Sequence, residues 1–198
     1  FGAFPGSVEW VATVFMILAA LPFVRYVQLM SGGASILEDR QVRSFLILVG
    51  GLSVMTAVVL WARFGLPAEQ SLREAAFNIT SIISGTGYAS VNYMTWGSFL
   101  VSIFFFIGLI GGCAGSTSCS IKVFRYQLLF ASIRTQLQRI YAPHGVFTPR
   151  YNGRPVTDDV LNSVMSFFVF FIVSLGLLAV ALGLTGLDFT TSVSGAAA

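Results

Sequence analysis

Four stretches of this sequence are long and apolar enough to cross a bilayer: Val8 to Met30, Ser44 to Phe64, Met94 to about Ile110, and Val160 to Leu184. Crossing roughly 30 Å of hydrocarbon takes about 20 helical residues, and at that depth each peptide group must find its partner within the protein. The chain is therefore expected to be an all-α membrane protein. Its composition agrees, since 56% of its 198 residues are hydrophobic and 10% are charged. Those proportions exclude a water-solvated globule. The first stretch holds Pro22 and Arg25 near its end, where a kink is tolerated and a long basic side chain can reach the interface.

The formal charge of +3 is too small for a nucleic-acid surface, and the placement of the charges matters more than their sum. Nine of the eleven basic residues, Arg25, Arg40, Arg43, Lys122, Arg125, Arg134, Arg139, Arg150 and Arg154, fall in or beside the Met30 to Ser44 connection and the Lys122 to Asp159 segment. By the positive-inside rule both connections are cytoplasmic, and both ends of the chain lie outside. Outside, Glu9, Glu69, Glu74 and Asp188 outnumber Arg63 and Arg73, a weak bias toward gathering cations. Cys113 and Cys119, with one His in the chain, match neither a disulfide framework nor a zinc site. The chain starts at Phe1 and stops in three alanines that read as the start of an element, so both ends read as cut. No stretch has the layout of a secretory signal.

The connection Leu66 to Trp96 is not a polar linker. Beginning at Pro67 and Glu69, it carries Leu72, Ala75, Ala76, Phe77, Ile79, Ile82 and Ile83 at helical spacing, with acids in the first turns. The spacing predicts a helix of about 15 residues, too short to span. Ser84, Gly85, Thr86, Gly87 and Tyr88 follow at once. A short helix ending in such a strand fits a re-entrant pore loop, because irregular backbone survives at membrane depth only when buried in protein or lining a water-filled path. Glycines at 85 and 87 permit backbone angles that align successive carbonyl oxygens, which can replace the hydration shell of potassium. The partly negative C-terminal end of the helix adds to the attraction. An ordinary interfacial loop after an amphipathic helix is the plainer alternative.

The third apolar stretch is also unusual. Met94 to Ile110 gives about 17 residues, or roughly 26 Å of helix, before GGCAGSTSCS interrupts it and Ile121 resumes a helical pattern. Glycines and small hydroxyl residues unwind a helix at low cost. On the residues alone a plain cytoplasmic turn is the competing reading. A phosphate-binding loop is excluded, since no Gly-Lys-Ser/Thr follows. A serine hydrolase would need a base, and only His144 and Lys122 are conceivable, with His144 in a turn-rich connector where it reads as a surface residue.

Span, pore helix, SGTGY and span together resemble the membrane, pore, membrane unit of potassium channels. Ile110 to Lys122, IGGCAGSTSCSIK, closely resembles the GGCAGST-containing stretch in the third repeat of TrkH-type subunits of the bacterial Trk/Ktr/HKT potassium transporter family. The resemblance covers the whole chain. It implies the last helix of a second repeat and a cytoplasmic connection over 1–43, and a third repeat over 44–141 with a filter at 84–88 and an intramembrane loop at 111–120. Over 142–198 it implies a cytoplasmic connector, the first helix of a fourth repeat and the start of its pore helix. Four such units surround one axis in that family, so the chain holds one complete filter segment of four.

Position by position, Ser84, Gly85, Thr86, Gly87 and Tyr88 match the third filter segment, with Gly87 at the signature glycine, which favours potassium. Gly111, Gly112, Gly115, Ser116, Thr117, Ser118, Cys119 and Ser120 match a loop that the resemblance makes a gate beneath the filter. Where the family continues with a run of glycines, this chain has Ser118, Cys119 and Ser120, which predicts a stiffer loop bent mainly at Gly111, Gly112 and Gly115.

Ile121 to Ile140 is helical in pattern and basic, suited to an anionic leaflet or a docked partner. The resemblance implies potassium uptake across the bacterial inner membrane by a multi-pass protein in contact with the lipid bilayer. It further implies no cofactor and no bond chemistry, potassium as the only metal bound, a homodimer, and a cytosolic nucleotide-binding regulatory ring as partner. A non-conducting, degenerate scaffold subunit is the alternative that the Ser118, Cys119, Ser120 departure keeps open.

Overall fold

The computed structural model describes residues 1–33, 35–142, 145 and 147–197, so His144 lies outside the described residues. Two compact units emerge, Phe1–Val123 and Phe124–Ala198. Their boundary falls inside the segment that the sequence assigns to the third repeat, at the head of a helix that runs from Val123 to Tyr141.

The first unit contains α1 (Gly6–Ala19), α2 (Phe23–Met30), α3 (Arg40–Phe64), α4 (Ala68–Ser84) and α5 (Ser98–Gly108), with short 3-10 turns at Ile36–Glu38 and Tyr93–Trp96. Helix α4 is its hub and packs against α1, α3 and α5. From Glu74 to Ser81 every residue of α4 is buried, as a helix that enters a membrane without crossing it must be if protein and not lipid surrounds it. Ile79 and Ile83 of α4 join Phe45 and Leu60 of α3 and Leu100 and Phe104 of α5 in the core.

Helix α3 is the one long span of this unit, at 25 residues, and it starts four residues before the predicted Ser44. The extra turn exists because Asp39 caps it. Asp39 Oδ1 accepts from the Gln41 N–H at 2.8 Å, while Oδ2 pairs with Arg25 Nε at 3.0 Å. At the other end Gly65 stops the helix in the left-handed region. Removing a capping carboxylate costs about 1 kcal/mol. Asp39→Ala is expected to lower the apparent melting temperature of the full-length protein, with Asp39→Asn, which keeps the cap and loses the ion pair, falling between; equal melting of all three contradicts this role.

Two predicted spans differ in form. The first is a broken pair, because α1 and α2 meet at 88° across a gap of a few residues. Pro22 has no N–H to continue α1 and instead opens α2 from an extended conformation. The third has only 11 helical residues, Ser98–Gly108, about 16 Å at the helical rise. Met94 and Trp96 belong to the preceding 3-10 turn, and Gly97 at φ 90° separates the two.

In the second unit α6 (Val123–Tyr141) is followed by a hairpin pairing β1 (Arg150–Tyr151) with β2 (Arg154–Pro155). Its two-residue turn, Asn152 and Gly153, has both residues at positive φ, as such hairpins need. Helix α7 (Asp158–Leu184) is 27 residues long, with Asp158 and Asp159 at its positive end. It is the second helix long and apolar enough to span alone, and its most apolar window is entirely unburied. Helix α8 (Phe189–Ala197) packs on α7 where the sequence places a pore-helix start. Asp188 accepts from the Thr191 N–H and hydroxyl at 3.2 and 2.6 Å, which holds its carboxyl below the usual range.

Candidate functional site

Helix α4 ends in a cap that turns its N–H groups inward. Gly85 N–H donates to Ile82 O at 3.1 Å, and the Thr86 and Gly87 N–H groups both donate to Ser81 O at 3.0 and 3.4 Å. That geometry requires Gly85 in the left-handed region at φ 75°, and Gly87 follows it at φ 76°. Ser84, predicted as the first filter residue, is the last residue of the helix. It is buried, and its hydroxyl lies 2.7 Å from the Thr86 hydroxyl.

Gly85, Thr86, Gly87, Tyr88 and Ala89 are exposed. Among the described residues no hydrogen bond is donated to a peptide carbonyl of Ser84 through Tyr88. Backbone carbonyls left unpaired beside a buried apolar core require water or a cation. At Ser90 the chain is buried again, held by the side chain of Asn78.

The 111–120 segment is a closed loop with a tight neck. Gly111 N–H donates to Ile121 O at 2.8 Å, Ile121 N–H to Leu109 O at 3.2 Å, and Val123 N–H to Gly112 O at 3.1 Å. A Cβ on Gly111 would sit 2.0 Å from Cys119 O, and one on Gly112 would sit 2.7 Å from Ala20 O. Glycine is required at both places by close approach of backbone, a different reason from the bending that the sequence proposes. Of the loop's glycines, only Gly115 has a positive φ. Ser120 takes a left-handed φ of 61°, a conformation that costs a residue with a Cβ roughly 1–2 kcal/mol. Its hydroxyl offsets part of that by donating to Gly108 O at 2.6 Å.

The loop is also stitched to the break between α1 and α2. Cys113 N–H donates to Ala20 O at 3.0 Å, the Thr117 hydroxyl donates to Ala19 O at 3.1 Å, and Gly115 O accepts from Phe23 N–H at 3.0 Å. Ala114 N–H donates to Gln41 Oε1 of α3 at 3.0 Å. Two interruptions in helical backbone thus satisfy each other, which lets both exist inside a hydrophobic core. Within the loop, Ser116 Oγ donates to Cys113 O at 2.6 Å, and the Ser118 hydroxyl accepts from Gly112 N–H. Lys122 Nζ reaches back to donate to Ser116 O at 3.3 Å and to Ser118 O.

Residues 83–85 and the 111–120 loop meet. A Cβ on Gly85 would lie 2.8 Å from Cys119 Cβ and 2.9 Å from its Sγ, and Ser118 Oγ contacts Ile83 O at 3.4 Å. The two motifs singled out in sequence are therefore one site.

The outer acids behave otherwise than a cation funnel. Glu9, only 3% exposed, pairs with Arg73 Nη1 at 2.5 Å, and Arg73 Nε holds Glu69 at 3.1 Å. Trp10 Nε1 donates to the same Glu69 oxygen at 3.2 Å. These charges are spent fastening α1 to the head of α4. Glu74 is buried and accepts from Gln70 at 2.8 Å.

Sequence reasoning missed Asn78, Ser90 and Gln41, and at Pro22 it allowed a kink but not a break of 88°. An amide flanked by Phe77 and Ile79 was the available signal for the first. No signal pointed to Gln41, which acts across 73 residues of chain.

A family model described as TrkH, cation transport protein, matches residues 2–193. The chain is 41% identical to the Trk system potassium uptake protein TrkI of Halomonas elongata over its whole length, covering 40% of that protein. It is 28% identical to the Trk system potassium uptake protein TrkG of Escherichia coli K12, with 96% of the chain and 40% of the relative covered. Among solved structures, the potassium transporter TrkH from Vibrio parahaemolyticus superposes with a TM-score of 0.92 at 25% identity, over all of this chain and 44% of that one. The chain thus spans less than half the length of these relatives. With a matching family model over nearly every residue, a shared helical fold and a re-entrant helix above a broken span, the chain belongs to the TrkH family of cation transport proteins, transporters of the bacterial inner membrane and not enzymes.

Proposed function

We propose that this chain is part of a potassium uptake protein in which Gly85, Thr86, Gly87 and Tyr88, with the carbonyl of Ser84, form one of several filter segments around an ion path. The observation that carries the reading is the exposed run 85–88, with unpaired carbonyls, at the C-terminal, partly negative end of a buried helix into whose last turn the N–H groups of Gly85, Thr86 and Gly87 are turned back. Residues 111–120 act as a gate beneath it. Their contact with Gly85 at Cys119 and their side-chain hydrogen bonds to exposed backbone support that role, because such bonds can be exchanged for water at small cost. The names of TrkI, TrkG and TrkH, each a potassium uptake protein or potassium transporter, point the same way. A homodimer and a cytosolic nucleotide-sensing ring complete the proposal, with Arg134 and the exposed apolar residues Ile133, Leu137 and Ile140 of α6 as the contact for the ring.

Expressed at full length in cells stripped of their own potassium uptake, the protein is expected to restore growth at low potassium, and Gly87→Ser to lower the preference for potassium over sodium. A protein present in the membrane that restores nothing would instead be a degenerate scaffold.

A further inference from the structure

Asn78 lies midway along α4 and is fully buried. An amide in such a place must have partners for both ends. Its Oδ1 accepts the Ser90 N–H at 3.3 Å, and its Nδ2 donates to Ser90 Oγ at 2.9 Å and to Glu74 O at 2.8 Å. Ser90 is the first buried residue after the exposed run 85–89. The run therefore has two anchors: at its start the helix cap, which takes the N–H groups of Gly85, Thr86 and Gly87, and at its finish the Asn78 carboxamide.

The geometry points to Asn78 as a positioning residue for ion selection, a staple that sets how far the exposed run can widen. The inference rests on the filter reading above and deepens it. Between the anchors, Ala89 O accepts from the amine of Phe1 at 3.1 Å, an exposed contact, and the Tyr88 and Phe1 ring centroids lie 5.1 Å apart; the buried hydrogen bonds at this end of the run are those of Asn78 with Ser90. A cage of carbonyls discriminates between alkali ions by the number and spacing of its oxygens, so releasing one anchor relaxes discrimination before it stops permeation. Asn78 touches no ion in this scheme and acts through Ser90.

The test uses the full-length transporter in cells without other potassium uptake, reading the ratio of potassium to sodium uptake together with the amount of protein in the membrane. Asn78→Leu keeps the number and branching of the side-chain heavy atoms and removes the bonds. It is expected to lower the ratio by roughly tenfold, the change that losing about one hydrogen bond's worth of positioning corresponds to. Ser90→Ala should lower it less, Ser90→Thr should leave it unchanged, and Asn78→Leu combined with Ser90→Ala should go no further than Asn78→Leu alone. An unchanged ratio in Asn78→Leu beside a lowered one in Gly87→Ser overturns the staple and leaves the filter standing. If neither variant moves the ratio, the filter reading falls and the staple with it. If Asn78→Leu never reaches the membrane, the Ser90 pair decides, and equal ratios in Ser90→Ala and Ser90→Thr overturn the proposal.

Discussion

Gly85→Ala is expected to abolish potassium uptake by the full-length protein, or to cut it by well over an order of magnitude, without removing the protein from the membrane. Two costs fall on one added methyl. At φ 75° a residue with a Cβ pays roughly 1–2 kcal/mol in backbone strain. The new Cβ would also stand 2.8 Å from Cys119 Cβ, 2.9 Å from Sγ and 3.2 Å from Cys119 N, so the loop or the cap has to move. Overpacking of this kind costs about 1–3 kcal/mol. The sum, some 2–5 kcal/mol, exceeds the worth of the three cap bonds that hold Gly85, Thr86 and Gly87 to the helix end only if the clash persists. Adding Cys119→Gly removes the two closest atoms and should restore part of the uptake, while the strain stays. Wild-type uptake in Gly85→Ala would mean that the cap and the loop are not coupled as the packing indicates.

Much of this site could be read from the letters alone, because it is built from backbone and backbone sites advertise themselves by glycine. The pore helix was visible through the period of Ala75, Ile79 and Ile83, and its end through Gly85. The loop was visible through its glycines and hydroxyls, but not the close approach that Gly111 and Gly112 allow to the Cys119 and Ala20 carbonyls, which composition does not distinguish from flexibility. What stayed hidden depends on distant partners. Pro22 announces a kink, but an 88° break is tolerable only because residues 113–117 supply donors and an acceptor to the freed backbone. Those residues lie about 90 positions further along the chain. The weak acidic bias is narrowed by the same cause, since Glu9 and Arg73 become one part-buried pair only after α1 and α4 have packed. Charge counting along a sequence cannot tell a pair that is fastened from charges that face a pore.

The loop's own fastening leads to the second large effect. Lys122, just past the neck of the loop, places its ammonium on the carbonyls of Ser116 and Ser118, the only side chain among the described residues seen to grip two loop carbonyls at once. A hydrogen bond from a charged donor is worth about 1.5–3 kcal/mol. If the loop is a gate, this grip favours the arrangement seen here over any in which residues 116–118 swing away. Lys122→Met keeps the length and apolar stem of the side chain and removes the charge. It is therefore expected to shift the balance toward the displaced loop by a factor on the order of ten to a hundred, the range that such a bond converts to. Two readings follow in the full-length protein: faster modification of Cys119, which is already exposed, by a small charged thiol reagent, and higher potassium uptake under resting conditions. Lys122→Arg, which keeps charge and donors, should remain near the parent on both. The loop's remaining ties, the neck at Gly111 and Ile121 and the stitches to Ala19 and Ala20, do not involve the ammonium, so the fold has reason to survive the change. Unchanged labelling of Cys119 in Lys122→Met, with the protein intact, would show that the grip does not restrain the loop. Faster labelling with no rise in uptake would show that the loop moves but does not gate.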